Sequence, residues 1–176
     1  MTAVTTRLAT AADRPEIARL LREAGNFRAE ECDVGLEIVD VFLGTGATAG
    51  VDGDYPTVVA ERAGVVVGYA TFGHTPMTVG TWHLYFIAAD AQIRRAGIGR
   101  ALCEAIREMA TERGGQRLVL ETSGRELYGG TRAFYAATGF TEEGRIADYY
   151  ASGDPVVYFV WRWSSQDAGA FGGNEV

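Results

Sequence analysis

The sequence predicts an α/β domain of the α+β kind, in which a mixed, mostly antiparallel sheet of about seven strands is flanked by about four helices. Three observations predict it. The hydrophobic period switches between helical and strand values along the chain. The segments run in the order strand, two helices, three strands, helix, strand, helix, two strands. Finally, 176 residues of which 47% are apolar suffice for one core, with no internal repeat and no long linker. One domain is expected over residues 1–163, and the small and polar residues 164–176 are expected to form a disordered tail.

The first strand is predicted over Thr5–Ala9. Thr10-Ala-Ala-Asp13 then resembles a capping box that starts a helix near Asp13, with Ile17, Leu20, Leu21 and Ala24 on one face and Gly25 as a stop. Cys32, Leu36, Val39 and Leu43 recur at helical spacing and predict a second helix over Glu31–Leu43, followed by a glycine-rich loop, Gly44–Asp54. Thr57–Arg62, Val65–Gly73 and Thr81–Ala88 are rich in valine, threonine and aromatics and read as strands, the first two joined by a tight turn at Ala63-Gly64. Ile98, Ala101, Leu102, Ala105, Ile106, Met109 and Ala110 form the best helical stripe in the chain, ended by Gly114-Gly115. Gln116–Thr122 is the next strand, Thr131–Thr138 a short helix closed by Gly139, and Thr141–Ala147 and Val156–Trp163 the last two strands.

Composition excludes several function classes. All 16 basic residues are arginine. Schiff-base chemistry and a nucleotide-binding P-loop, which both need lysine, are therefore ruled out. The net charge of -7 argues against a nucleic-acid partner and suits a cationic small molecule. No apolar run reaches the roughly 18 residues of a membrane span, so no membrane partner is expected. Cys32 and Cys103 follow neither disulfide nor metal spacing, and the amino terminus has no secretory pattern. A reducing cytoplasm and no metal are expected.

The stretch that carries chemistry is Arg94-Arg95-Ala96-Gly97-Ile98-Gly99, between a predicted strand and the start of the best helix. Glycines there allow close approach of a ligand, and the unpaired N–H groups of a first helical turn bind phosphate. A dinucleotide fingerprint would need a third glycine where Leu102 stands in the buried stripe.

The arginine, two residues, glycine, one residue, glycine pattern, with Arg100 following, resembles the acetyl-CoA signature of the GNAT superfamily of N-acetyltransferases. Downstream, Thr131-Arg-Ala-Phe134-Tyr135-Ala-Ala-Thr-Gly139-Phe140 resembles the penultimate helix of that family. The resemblance covers about residues 5–163. It departs at Tyr128 and Thr131, where the family frequently has asparagine and alanine in contact with the pantetheine arm.

The resemblance implies a GNAT-like fold with a splayed central strand pair and acetyl-CoA as cosubstrate. Pyrophosphate would lie on the main chain of the turn, and the pantetheine arm beside Ile87, Ala88 and Ala89, with Thr131 and Phe134 also at the cofactor. Eleven residues before Arg94, where many members carry a glutamate base, stands His83, whose imidazole can accept the ammonium proton directly or through water. Glu121 on the adjacent strand is the second candidate base, and Tyr135 matches the family's general acid. His74 has no such support. Asp148, Tyr149 and Tyr150, expected in the connection between the last two strands, together with Phe27 and Tyr85, are candidates for holding a cationic amine. Phe42 adds to an aromatic set that favours a closed small-molecule pocket.

The expected activity is direct transfer of acetyl from acetyl-CoA to a primary amine of a small molecule. Longer acyl groups, a protein amino terminus as acceptor, and a non-catalytic acyl-CoA-binding regulator are the alternatives. Exposed edge strands make a homodimer plausible.

Overall fold

Asp13 organises the start of the chain. Its carboxylate accepts the backbone N–H of Thr10 (2.7 Å) and its hydroxyl (2.9 Å), while Arg7 donates to both oxygens at 2.7 and 2.9 Å. In the computed structural model, which describes residues 3–45, 54–93 and 96–163, this knot closes a short 3₁₀ turn, Ala11–Asp13. Helix α1 (Arg14–Glu23) follows directly, with Pro15 in its first turn, where a missing N–H costs no hydrogen bond. Ile17, Ala18, Leu20 and Leu21 are its buried residues. Helix α2 (Ala29–Leu43) begins two residues before the predicted start, because Glu31 reaches back to the Arg28 N–H at 2.7 Å. It ends at Gly44, whose φ of 64° suits glycine.

The strands are β1 (Val4–Leu8), β2 (Thr57–Arg62), β3 (Val65–His74), β4 (Thr81–Ala89), β5 (Arg117–Ser123), β6 (Thr141–Ala151) and β7 (Asp154–Arg162), with α3 (Ile98–Glu112) and α4 (Gly129–Thr138) between them. They form one mixed sheet in the order β1-β2-β3-β4-β5-β7-β6. β4 and β5 run parallel, whereas the β1–β2, β2–β3, β5–β7 and β6–β7 pairs are antiparallel. The fold class and the order of elements thus match the sequence expectation. Ala63 and Gly64 both take positive φ, the backbone of a two-residue hairpin turn. No described helix is long and apolar enough to cross a membrane.

The chain groups into two compact parts. The first runs to His74 and includes Leu84–Ile106; the second is Thr75–His83 and the chain from Arg107 onward. The core of the first is built by Ile17, Leu20 and Leu21 of α1, Leu36 and Val39 of α2, and Val59, Val66, Tyr69 and Ala88 from the sheet. In the second, Trp82, Leu118, Leu120, Tyr135, Phe140 and Phe159 are buried, and Trp163 donates its indole N–H to the Gly115 carbonyl at 2.9 Å. Residues 46–53 of the predicted loop, Arg94, Arg95 and the tail 164–176 lie outside the described residues.

The main departure from the sequence reading is β6. It was expected to end at Ala147, yet it continues to Ala151, and the hairpin closes through the two residues Ser152 and Gly153. Asp148, Tyr149 and Tyr150 therefore stand inside a strand as a bulge and not in a long connection. The helix α4 also begins two residues early, at Gly129, fed by a 3₁₀ turn over Glu126–Tyr128.

Candidate active site

The start of α3 is seated by a glycine on the neighbouring part of the sheet. A Cβ on Gly68 of β3 would meet Ile98 Cγ2 at 2.5 Å and the Ala88 carbonyl at 3.2 Å, so the helix packs where no side chain fits. Ile98 and Ala88 are both buried as a result. The turn ahead of the helix is tied down by Asp90. Its N–H donates to the Val67 carbonyl (2.9 Å), its carboxylate accepts the Gln92 N–H (2.8 Å), and Arg19 of α1 donates to it at 3.1 Å.

Gly97 takes φ of 76°, and a Cβ there would meet nothing within 4 Å. Its carbonyl accepts the Ala101 N–H (2.9 Å), the first bond of the helix. Open space over a helical first turn fits a phosphate-bearing ligand, because the N–H groups ahead of that bond lack intrahelical partners. Ala96 and Gly99 are half-buried and Arg100 is exposed at this end. Along β4, Ala88 faces inward, while Ile87 and Ala89 remain half-buried. Phe27 packs against Phe86 (5.6 Å between centroids) and Tyr85 against Tyr55 (5.6 Å). Phe42 packs on the core of the first part, and His74 is exposed at the end of β3.

In the second part the structure brings together two residues that the sequence offered as alternatives. The parallel ladder pairs Thr81, Trp82 and His83 with Arg117, Leu118 and Val119, and ends there. Paired residues share a face and alternate along each strand, so His83 and Glu121 emerge on the same side of β5. His83 Nε2 lies 2.9 Å from Glu121 Oε2, with side chains 21% and 38% exposed. An Nε2–H that donates to the carboxylate leaves Nδ1 as the acceptor nitrogen of a neutral ring.

Tyr135 stands on the opposite face. Its ring packs against Phe159 (5.8 Å), Phe140 (5.5 Å) and Phe134 (5.2 Å), and it is only 6% exposed. Phe159 alternates with Tyr158, which lies across the β5–β7 ladder from Glu121. Thr131 and Phe134 of α4 are half-buried. Arg132 of the same helix holds the loop after β5, donating to the carbonyls of Ser123 (2.7 Å) and Arg125 (2.8 Å).

The β6 bulge also lies in the second part. Asp148 adopts φ of 53°, and its carboxylate accepts the Gly153 N–H at 2.6 Å. Tyr149 and Tyr150 are exposed and meet edge to face at 5.0 Å. Tyr158, which the sequence reading did not single out, lies across the ladder from Glu121, and its phenol is raised by burial first and then by the neighbouring Tyr149 and Glu121. Its signal in sequence was faint: an aromatic residue inside a predicted strand is ordinary, and only the register places it opposite Glu121.

Residues 16–140 match the family model for the acetyltransferase (GNAT) family, and the chain belongs to that family of enzymes. A search of curated proteins found no match. Among solved structures, a GNAT-family protein from Desulfovibrio desulfuricans is 35% identical, with a TM-score of 0.81 over 91% of this chain and 99% of that one. A ribosomal-protein-alanine N-acetyltransferase from Brucella melitensis is 25% identical, with a TM-score of 0.69 over 90% and 99%. The fold is shared with a Salmonella typhimurium protein solved with its cofactor acetyl-CoA, at 18% identity and a TM-score of 0.66 over 99% of both chains.

Proposed function

We propose that this acetyltransferase moves acetyl from acetyl-CoA directly to a primary amine of a small molecule, with His83 as general base, Glu121 as its orienting carboxylate and Tyr135 as general acid. The observation that carries this reading is the 2.9 Å contact between His83 Nε2 and Glu121 Oε2. A carboxylate on one ring nitrogen selects the tautomer in which the other accepts a proton, and it stabilises the imidazolium that results.

The ammonium group of the acceptor gives one proton to His83, which frees its lone pair. The amine nitrogen then bonds to the thioester carbon, the carbon–sulfur bond breaks, and the leaving thiolate takes a proton from Tyr135. A second proton leaves the new amide nitrogen to solvent. Base and acid act on the two atoms that flank the reacting carbon, the amine nitrogen and the thiol sulfur. The burial of Tyr135 among aromatic rings keeps water from competing as the donor.

Donor binding falls to the turn around Gly97 and to α3. Residues Arg95 to Arg100 would cradle the pyrophosphate through main-chain N–H groups, with Arg94 beside them, Ile87 and Ala89 would pair with the pantetheine arm, and Thr131 and Phe134 would line it. Phe27, Tyr85, Asp148 and Tyr149 are assigned to the acceptor side. Cys103 is buried and its thiol is pushed up to about 12 by desolvation, so it is inert as a nucleophile and suits a reducing cytoplasm.

The test is release of free thiol from acetyl-CoA, with the acetylated product identified by mass, across alkylamines, polyamines, aminoglycosides, amino acids and alanine-initiated peptides. An N-acetylated small amine formed in step with the thiol is the expected result. Gly97→Trp should abolish acetyl-CoA binding in a folded protein, because the ring fills the open space over the helix start. Cofactor binding without turnover across the whole panel contradicts the reading, and acetylation of peptides alone replaces the acceptor class.

A further inference from the structure

A single ion pair ties the first helix to the turn that precedes α3. Asp90 is the residue after β4, and each of its polar groups is engaged. Its N–H donates to the Val67 carbonyl of β3 at 2.9 Å, and its carbonyl accepts the Ile93 N–H at 3.0 Å. One carboxylate oxygen accepts the Gln92 N–H at 2.8 Å, so the side chain fixes the backbone of the turn directly. The other accepts Arg19 of α1 at 3.1 Å. With the Asp90 side chain only 13% exposed, the geometry of this turn rests on a largely desolvated carboxylate.

A carboxylate is an unfavourable neighbour for the diphosphate that the open space over Gly97 would take, because like charges repel most where water is displaced. Arg19 supplies the opposing charge. Its guanidinium donates to Glu16 at 2.9 Å and to Glu23 at 2.7 Å, on the adjoining turns of the same helix, and Nη2 is directed at Asp90. Glu16 and Glu23 are 45% and 56% exposed, so solvent screens them, whereas Asp90 depends on its arginine. Ile17, Ala18, Leu20 and Leu21 are buried, so Arg19 is presented from an anchored backbone.

We propose that Asp90 and Arg19 are positioning residues for acetyl-CoA: Asp90 sets the backbone of the phosphate turn, and Arg19 offsets the negative charge that this places beside the diphosphate. The inference rests on the acetyl-transfer reading above and extends its cofactor site to α1. Neither residue acts on the reacting atoms, so the effect falls on cofactor binding and not on the chemical step. The same pair makes the placement of the turn depend on α1, a helix far from it in sequence.

The test is calorimetric titration of acetyl-CoA into the intact protein, with kcat measured at saturating acetyl-CoA on an amine that the panel above shows to be acetylated. Arg19→Gln should weaken acetyl-CoA binding about tenfold and leave kcat within about twofold. The Arg19 side chain is 33% exposed, so the change leaves the core intact. Adding Asp90→Asn, which keeps an oxygen for the Gln92 N–H and removes the charge, should recover most of that loss, whereas a helix merely loosened by Arg19→Gln would bind no better after a second change. Arg22→Gln removes the same charge from the same helix and should leave the affinity within about twofold of wild type. Unchanged affinity in Arg19→Gln, no recovery in the double variant, or an equal loss in Arg22→Gln overturns the positioning role while leaving acetyl transfer standing. Failure of the wild-type protein to bind acetyl-CoA overturns both.

Discussion

Asp13 shows how a single carboxylate can join three levels of the fold. The hydrogen bonds from Arg7 hold its carboxyl well below the usual range, against a desolvation cost, and Thr10 adds two more donors. A carboxyl whose folded pKa is depressed stabilises the fold above its unfolded value, about 4, and that contribution is lost as pH falls. Asp13→Asn should therefore lower Tm at pH 7 and flatten the decline of Tm between about pH 5 and pH 2, as thermal melts across that range would show. Tyr69 is the opposite case. It is fully buried on β3, its hydroxyl finds no partner among the described residues, and burial pushes its phenol well above the usual range. Tyr69→Phe should leave stability unchanged or raise it by up to about 1 kcal/mol, read from the denaturant midpoint at constant m-value. Neither feature is visible in sequence at full strength. The Thr10–Asp13 capping pattern was legible, whereas the arrival of Arg7 depends on where β1 leaves the sheet. His83 and Glu121 were both legible as candidates, one by its spacing from the phosphate turn and the other by its strand. Their contact was not, because it depends on the β4–β5 register, which local pattern does not encode.

At the level of elements, α3 is the helix most clearly written in the sequence, since its stripe keeps the helical period to Ala110. Its seat is set elsewhere. Gly68 lies in a valine-rich strand where it reads only as a weak point, yet any side chain there would collide with Ile98 and crowd the Ala88 carbonyl. Gly68→Ala is expected to cost about 1–3 kcal/mol and, by shifting the start of α3, to weaken acetyl-CoA binding more than it lowers kcat. Calorimetric titration of acetyl-CoA into the folded variant checks this; unchanged affinity would mean that the turn tolerates the shift. β6 was read short for a physical reason. A strand pattern is recognised by alternation, and a bulge of Ala-Asp-Tyr-Tyr interrupts it where a turn is also plausible. The Ser152-Gly153 pair, with Gly153 at φ of 76°, was the available sign that the true turn came later.

For the whole molecule, composition and order did most of the work. The absence of lysine removed two mechanisms, the order of elements predicted the seven-stranded sheet, and two motifs separated by the expected distance pointed to the family that residues 16–140 match. Gly97 and the start of α3 belong to the first compact part of the chain, and His83, Glu121 and Tyr135 belong to the second. The charge of -7 gives a cationic acceptor a favourable field. The central claim is that the His83–Glu121 pair accepts the proton of the acceptor amine. It is tested most directly by the pH dependence of kcat/KM for wild type, His83→Ala and Glu121→Gln with one acceptor amine. The acid limb should vanish in His83→Ala, with a loss of roughly 100-fold at neutral pH, and persist at lower activity in Glu121→Gln. An acid limb that persists unchanged in His83→Ala would contradict it.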